Sequence, residues 1–304
     1  MHCASLIGII WLSFYIIKTQ TRSGSARRRA CRRIDARQLL GKEALKISKP
    51  TIITHMLDDL LPDVTLAWSE AALTAAFANE TVTGKQLGGI AVWDQDGNQA
   101  IDDKKPSGFV NVLGRMGLGG DLHGTLFILS HHPITKKLVG PVVQAGSKFP
   151  AFAKAVELLR PPYEHYVSLG RETQWNYVHR HAANLFVQIL GRKGWVMFPS
   201  PNLPKEWIDD QNDRQLNGDL VEGVLDQLSL CSYVMPCKRW AELADVSPSE
   251  CEAKGKNAVS RYKGLACEVQ QGEALLVPKD WWHGTCNLDA WNAGFSFIGS
   301  EWVK

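Results

Sequence analysis

Apolar positions in this chain fall into short runs broken by Gly, Pro and Asn, and most runs are too short for helices. The second half shows this best. Residues 166–170, 184–190, 195–198, 267–270, 274–277 and 295–298 are apolar segments bounded by turn residues, and each reads as a strand. The stretch Gly191-Arg192-Lys193-Gly194 separates two of them and predicts a hairpin turn. Pro199 stops the second of that pair, and Gln271-Gly272 turns the chain before 274–277. Many short strands punctuated by Gly and Pro predict a mainly β fold, a double-stranded β-helix or jelly roll of the cupin type. The first half differs. A β-branched run at 49–54 predicts one strand. Helical spacing at 57–61 and 68–77 predicts flanking N-terminal helices, with Thr65 or Ser69 as caps. Residues 94–108 and 114–124 read as turn-rich loops, and 202–262 as a polar, partly helical insertion.

Composition fits a packed globular domain: 304 residues, 45% hydrophobic and 21% charged. The expected organisation is a leader over 1–40 and one domain over 45–304 carrying the insertion at 202–262. The net charge of +3 is uneven. Arg22, Arg27, Arg28, Arg29, Arg32, Arg33 and Arg37 crowd one stretch, and the remainder is slightly acidic. No specific nucleic-acid binding is therefore expected of the main domain. Residues 4–17, just before that cluster, are nearly all apolar. They fall short of the ~20 residues of a transmembrane helix and suit the hydrophobic region of a signal peptide, with small residues at 23–26 for cleavage. Basic residues after the apolar run, rather than before it, suit a short anchor or an organelle-targeting leader instead. The expectation is entry to the secretory pathway or membrane association through residues 4–17, with an organellar or cytoplasmic location as the alternative. Cys3 and Cys31 fall in the leader. Cys231, Cys237, Cys251 and Cys267 cluster and suffice for two disulfides in an oxidising lumen. No C-x-x-C pair is present, which argues against a structural zinc site. Asn79-Glu80-Thr81 is a glycosylation sequon usable only in such a lumen.

The chemistry concentrates in three histidines. His179 and His181 stand in Tyr177-Val178-His179-Arg180-His181, and His283 ends Lys279-Asp280-Trp281-Trp282-His283. Residues i and i+2 of a strand share a face, so the pair can meet a distant third imidazole around one metal ion. Neutral imidazole suits Fe, Zn, Cu and Ni. Other metal and phosphate motifs fail. Asp94-Gln95-Asp96-Gly97-Asn98 resembles half a calcium loop, but Gln99 replaces the required Gly and Lys105 the required Glu. The glycines of 114–124 have neither a P-loop nor a dinucleotide fingerprint. His131 and His132 are adjacent and face apart; with His55, His123 and His165 they read as structural or surface residues. Alternation places one of Trp281 and Trp282 in the core and the other on a pocket wall.

Three blocks in order make a specific pattern: His179-Arg180-His181; Asn184 through Trp195, with Gly191-Arg192-Lys193-Gly194 near its end; and Gly272 through His283. Over about 45–304 the chain resembles the cupin-like Jumonji-C group of Fe(II)- and 2-oxoglutarate-dependent oxygenases. Lys49-Pro50-Thr51-Ile52-Ile53 resembles the segment that opens that domain. The resemblance implies a jelly roll in which His179 and His283 bind Fe(II). It implies that Lys193 pairs with the distal carboxylate of 2-oxoglutarate, with Asn184 as a polar neighbour. His181 stands where active members usually have Asp or Glu. Three readings follow: an oxygenase hydroxylating a protein or small molecule; a metal-binding cupin module that no longer uses 2-oxoglutarate; and a three-histidine dioxygenase that needs no 2-oxo acid.

Overall fold

The computed structural model describes residues 30–41, 47–58, 64–84, 90–92, 100–117, 120–203 and 259–299, apart from 103, 123 and 160, together with a few isolated positions. The apolar run at 4–17, the loop at 94–99, His123 and nearly all of 202–262 lie outside the described residues. No helix among the described residues is long and apolar enough to cross a membrane.

The early strands are β1 (Arg32–Asp35), β2 (Thr51–Thr54), β3 (Thr81–Val82), β4 (Ile90–Ala91), β5 (Ser107–Gly108) and β6 (Leu126–Ile128). The barrel strands follow: β7 (Glu164–Gly170), β8 (Trp175–His179), β9 (Asn184–Leu190), β10 (Lys193–Pro199), β11 (Leu265–Val269), β12 (Ala274–Val277), β13 (Trp281–Asn287) and β14 (Asn292–Ile298). A large sheet runs β1-β2-β12-β9-β14-β7-β6-β4 and a small one β11-β10-β13-β8, facing each other as a jelly roll. The mainly β expectation holds.

The connection after β9 does not form the expected hairpin. β9 pairs with β12 and β14, whereas β10 pairs with β11 and β13. The Gly191-Arg192 turn thus carries the chain from one sheet to the other. Gly191 sits at φ +70°, and a Cβ there would meet the Trp291 carbonyl at 2.4 Å, so the crossing requires glycine. Lys193 is not a turn residue either; it is the first residue of β10 and faces inward.

Both faces of β9 and β10 are covered, which is why these strands read as near-continuous apolar runs. Leu185, Val187 and Ile189 join Phe295 and Phe297 in a core between the large sheet and a helical layer. Phe186, Trp195, Met197, Cys267, Val269 and Leu275 fill the barrel interior. Each such side chain, fully buried, contributes roughly 1.5–3 kcal/mol.

The helical layer comprises α1 (Glu70–Ala76), α2 (Phe109–Gly114), α3 (Pro133–Gly146) and α4 (Pro150–Glu157). The Ser69 hydroxyl accepts from the Ala72 amide and caps α1. The helix expected at 57–61 is absent from 57 and 58, which lie in a turn. The strand-dominated reading passed over α3 and α4. Their signal is local: Pro at N1, a His132 cap, and Ile134, Leu138, Val139 and Val142 on one buried face.

The folded domain begins before residue 45. β1 runs parallel to β2, and a capped 3-10 turn at Ala36–Leu40 follows it. Ile34 and Leu39 are buried in this segment, whereas Arg32 and Arg33 on the strand and Arg37 in the turn are exposed. Cys31, placed in the leader by sequence, is disulfide-bonded to Cys267. The bond ties β1, one edge of the large sheet, to β11, one edge of the small sheet. Cys286 is also disulfide-bonded.

Candidate metal centre

β13 lies between β10 and β8, and its register sets His283 opposite His179 on one side and opposite Met197 on the other. A register shift between His283 and Thr285 opens the ladder at this point. β8 ends at His179, so His181 is not on the strand as alternation suggested; it sits in the bend that follows. That bend still returns its ring to the site. The ring centroids stand 4.4 Å apart for His179–His283, 4.7 Å for His181–His283 and 5.3 Å for His179–His181. One ligating atom from each lies within 4.8 Å of the others. An ion with ~2.0–2.1 Å bonds to nitrogen can draw such a set together.

The hydrogen bonds prepare these rings for a cation. His283 Nδ1 donates to the Trp281 carbonyl at 3.0 Å, and His181 Nδ1 donates to the Ala182 carbonyl at 2.7 Å. A carbonyl can only accept, so both Nδ1 atoms carry the proton and both Nε2 lone pairs are left for a metal. The Asn176 amide nitrogen lies 3.3 Å from His179 Nδ1 and steadies this ring from the same strand. Burial, and after it the neighbouring His179 and His181, holds His283 well below the usual imidazole range. It is therefore neutral, the form that ligates.

Four residues further along β10 lies Lys193, opposite Asn287, about 13 Å along the strand from the His283 level. It is 2% exposed. Its Nζ donates to Ser168 Oγ at 2.6 Å and sits 5.2 Å from the Phe186 ring centre and 5.7 Å from that of Phe127. No carboxylate among the described residues pairs with it. Burial pushes its pKa down to about 7. Asn184, the first residue of β9, is buried on the same face of the strand as Phe186, and its Oδ1 has no partner. Arg192 points away, to Asp289 and Glu268 on the surface.

Sequence reading missed Trp195 and Thr285. The Trp195 ring contacts both His283, at 5.5 Å, and Phe186, at 5.1 Å, and so lies between the triad and Lys193. Its Nε1 and the Thr285 Oγ1 are buried without partners. Period-two counting from Lys193 and from His283 reaches both. Trp281 and Trp282 divide as alternation requires: Trp282 is fully buried with Arg180 over its ring at 5.0 Å, and Trp281 is half-buried on a groove wall. The remaining described histidines lie outside this site. His55 pairs with Asp58 at the surface, His132 caps α3, and His165 packs on Phe297.

Three converging imidazoles, with a buried lysine that pairs with no described carboxylate and unpartnered polar atoms further along the same barrel interior, fit a transition metal and an anionic ligand. The family comparison agrees with this fold. The family model described as a cupin-like domain matches residues 135–296. The chain is similar in structure to E. coli ycfD, solved by X-ray, with 15% sequence identity and a TM-score of 0.41, over 84% of this chain and 50% of that one. The chain thus spans about half the length of that relative. No curated protein matches it in sequence.

Proposed function

This chain belongs to the cupin-like domain family, matched over 135–296, and on that footing we propose that it is an Fe(II)- and 2-oxoglutarate-dependent oxygenase. His179, His181 and His283 hold the iron. Lys193 holds the distal carboxylate of 2-oxoglutarate, and Asn184 lies beside it as a polar neighbour. The observation that carries this reading is Lys193 itself, buried without a carboxylate partner among the described residues, on the inward face of β10 that also carries Trp195, whose ring touches His283. Burying a charge unpaired is expensive, and a dicarboxylate supplies the missing partner. Iron with a 2-oxo acid and O2 supplies oxidative decarboxylation, one oxygen atom entering succinate and the other a substrate C–H bond. The chain's residues do the rest. The two backbone carbonyls fix the His181 and His283 tautomers, Trp195 and Phe186 exclude water between the two charged ends, and Lys193 sets the length of acid accepted.

Purified protein should contain one divalent transition ion per chain, lost in His179→Ala and His283→Ala. Supplied with Fe(II), O2 and 2-oxoglutarate, it should form succinate even without substrate. Lys193→Ala should weaken 2-oxoglutarate binding by tenfold or more, about 1.4 kcal/mol or above. Equal affinity in both proteins would remove Lys193 from the site. A second reading has one observation in its favour. His181 replaces a carboxylate, so the ion keeps its full double charge. Iron bound with no turnover would favour a metal-binding module over an enzyme.

A further inference from the structure

We propose that the barrel mouth beside the three histidines is a docking trough for an acidic polypeptide segment; this rests on the oxygenase reading and names its substrate class. A groove of about 770 Å³ opens there, with Arg32, Lys49, Lys263, Pro199, Leu265 and Trp281 among its walls. The walls belong to different sheets. Arg32 on β1 and Lys49 just before β2 form one side; Pro199, Leu265 and Trp281 on β10, β11 and β13 form the other. The Cys31–Cys267 disulfide joins the two sides next to Arg32, so the width is covalently held before any partner arrives.

Charge and shape select the occupant. Arg32, Lys49 and Lys263 are exposed, and no lining residue among the described ones is acidic. The acidic groups near it among the described residues are paired: Glu273 with Arg33, Glu268 and Asp289 with Arg192, and Asp280 with Arg180 at 3.9 Å. The trough is therefore positive over an apolar and aromatic floor, and favours carboxylates carried on a chain. Its rim is half open, so a small molecule in it would keep part of its surface in water, whereas small-molecule sites bury roughly 70–90% of a ligand's surface. An extended peptide can instead lie along it. Trp281 and His283 share one face of β13, two residues apart, so the inner end of the trough is about 7 Å along the strand from a metal-binding histidine.

The test uses the full chain, oxidised, and a fluorescein-labelled peptide of alternating Glu and Ala, with a Lys/Ala peptide as control. Fluorescence anisotropy should show binding of the acidic peptide alone, weakened by added salt. The double variant Lys49→Glu/Lys263→Glu should lose at least about tenfold in affinity, while Lys136→Glu on α3 should match wild type. Metal content read on each variant reports that the fold is intact. The trough is refuted if wild type ignores the acidic peptide, if the double variant binds it equally well, or if free glutarate at equal carboxylate concentration displaces it fully. A chain that takes up metal and 2-oxoglutarate yet ignores the peptide refutes the trough alone. A chain that binds the peptide but no metal refutes the oxygenase reading alone.

Discussion

At the scale of single residues, Lys193 carries the most information. Its folded pKa of about 7 lies below the ordinary 10.5 because burial disfavours the ammonium. Between those two values the unfolded chain binds more protons than the folded one. Stability of the ligand-free protein should therefore rise with pH across that window, by up to ~1.4 kcal/mol per unit, with the full penalty of burial felt below pH 7. Thermal melts from pH 6 to 10 check this, and saturating 2-oxoglutarate should flatten the trend by pairing the charge. Dicarboxylate affinity should fall as pH climbs past about 7. Lys193→Met should melt higher than wild type at pH 7 and bind 2-oxoglutarate at least tenfold more weakly. At His181, exchange for Asp should add one negative charge to the metal's surroundings and shift preference toward Fe(II); succinate formation with iron supplied should persist or rise. These residues were legible because their types and order are distinctive. The inward aim of Lys193 was expected from the family resemblance and not from local spacing. A lysine after Gly-Arg looks like a solvated turn, and only pairing with β11 and β13 turns it into the first buried residue of a strand.

Elements show the same limit one level up. Apolar runs located the strands from β7 onward to within two residues, and β14 to within three, except β8 and β13, of which only the histidine-bearing ends were read. They could not say which sheet each strand joins. β9 and β10 look like a hairpin because a Gly-containing turn separates them, yet they part to opposite sheets. The difference lies in non-local hydrogen bonds, to which local spacing is blind. Gly191→Ala is the matching prediction. It forces an L-residue to positive φ and a Cβ onto the Trp291 carbonyl, so a loss of roughly 1–3 kcal/mol or more is expected in chemical denaturation. Ser69→Ala should cost only about 1 kcal/mol, since it removes one cap from a short peripheral helix. The helices α3 and α4 were missed for another reason. Their start signals, a proline at N1 in each, stand in a stretch between 125 and 165 to which the apolar pattern assigned no element.

For the whole molecule, the Cys31–Cys267 bond closes a loop of nearly the entire described chain. The double variant Cys31→Ser/Cys267→Ser should lose about 2–5 kcal/mol, measured by denaturation with the Cys286 bond left intact. Clustering along the sequence pointed to pairs among Cys231, Cys237, Cys251 and Cys267. The bond to Cys31 was invisible there because the partners lie 236 residues apart and only the approach of β1 to β11 brings them together. The metal triad shares this long-range character. His179 and His181 leave the ribosome well before His283, with the whole 202–262 segment between them. During synthesis the early pair can offer an ion only two imidazoles, which hold it weakly and exchange it freely. Three-point capture waits for β13 to dock between β10 and β8, and so does the fixed His283 tautomer. On the proposed oxygenase reading, metal uptake would thus act as a check on assembly: a nascent or misassembled chain would stay unarmed toward oxygen, and a closed barrel alone would bind the ion tightly.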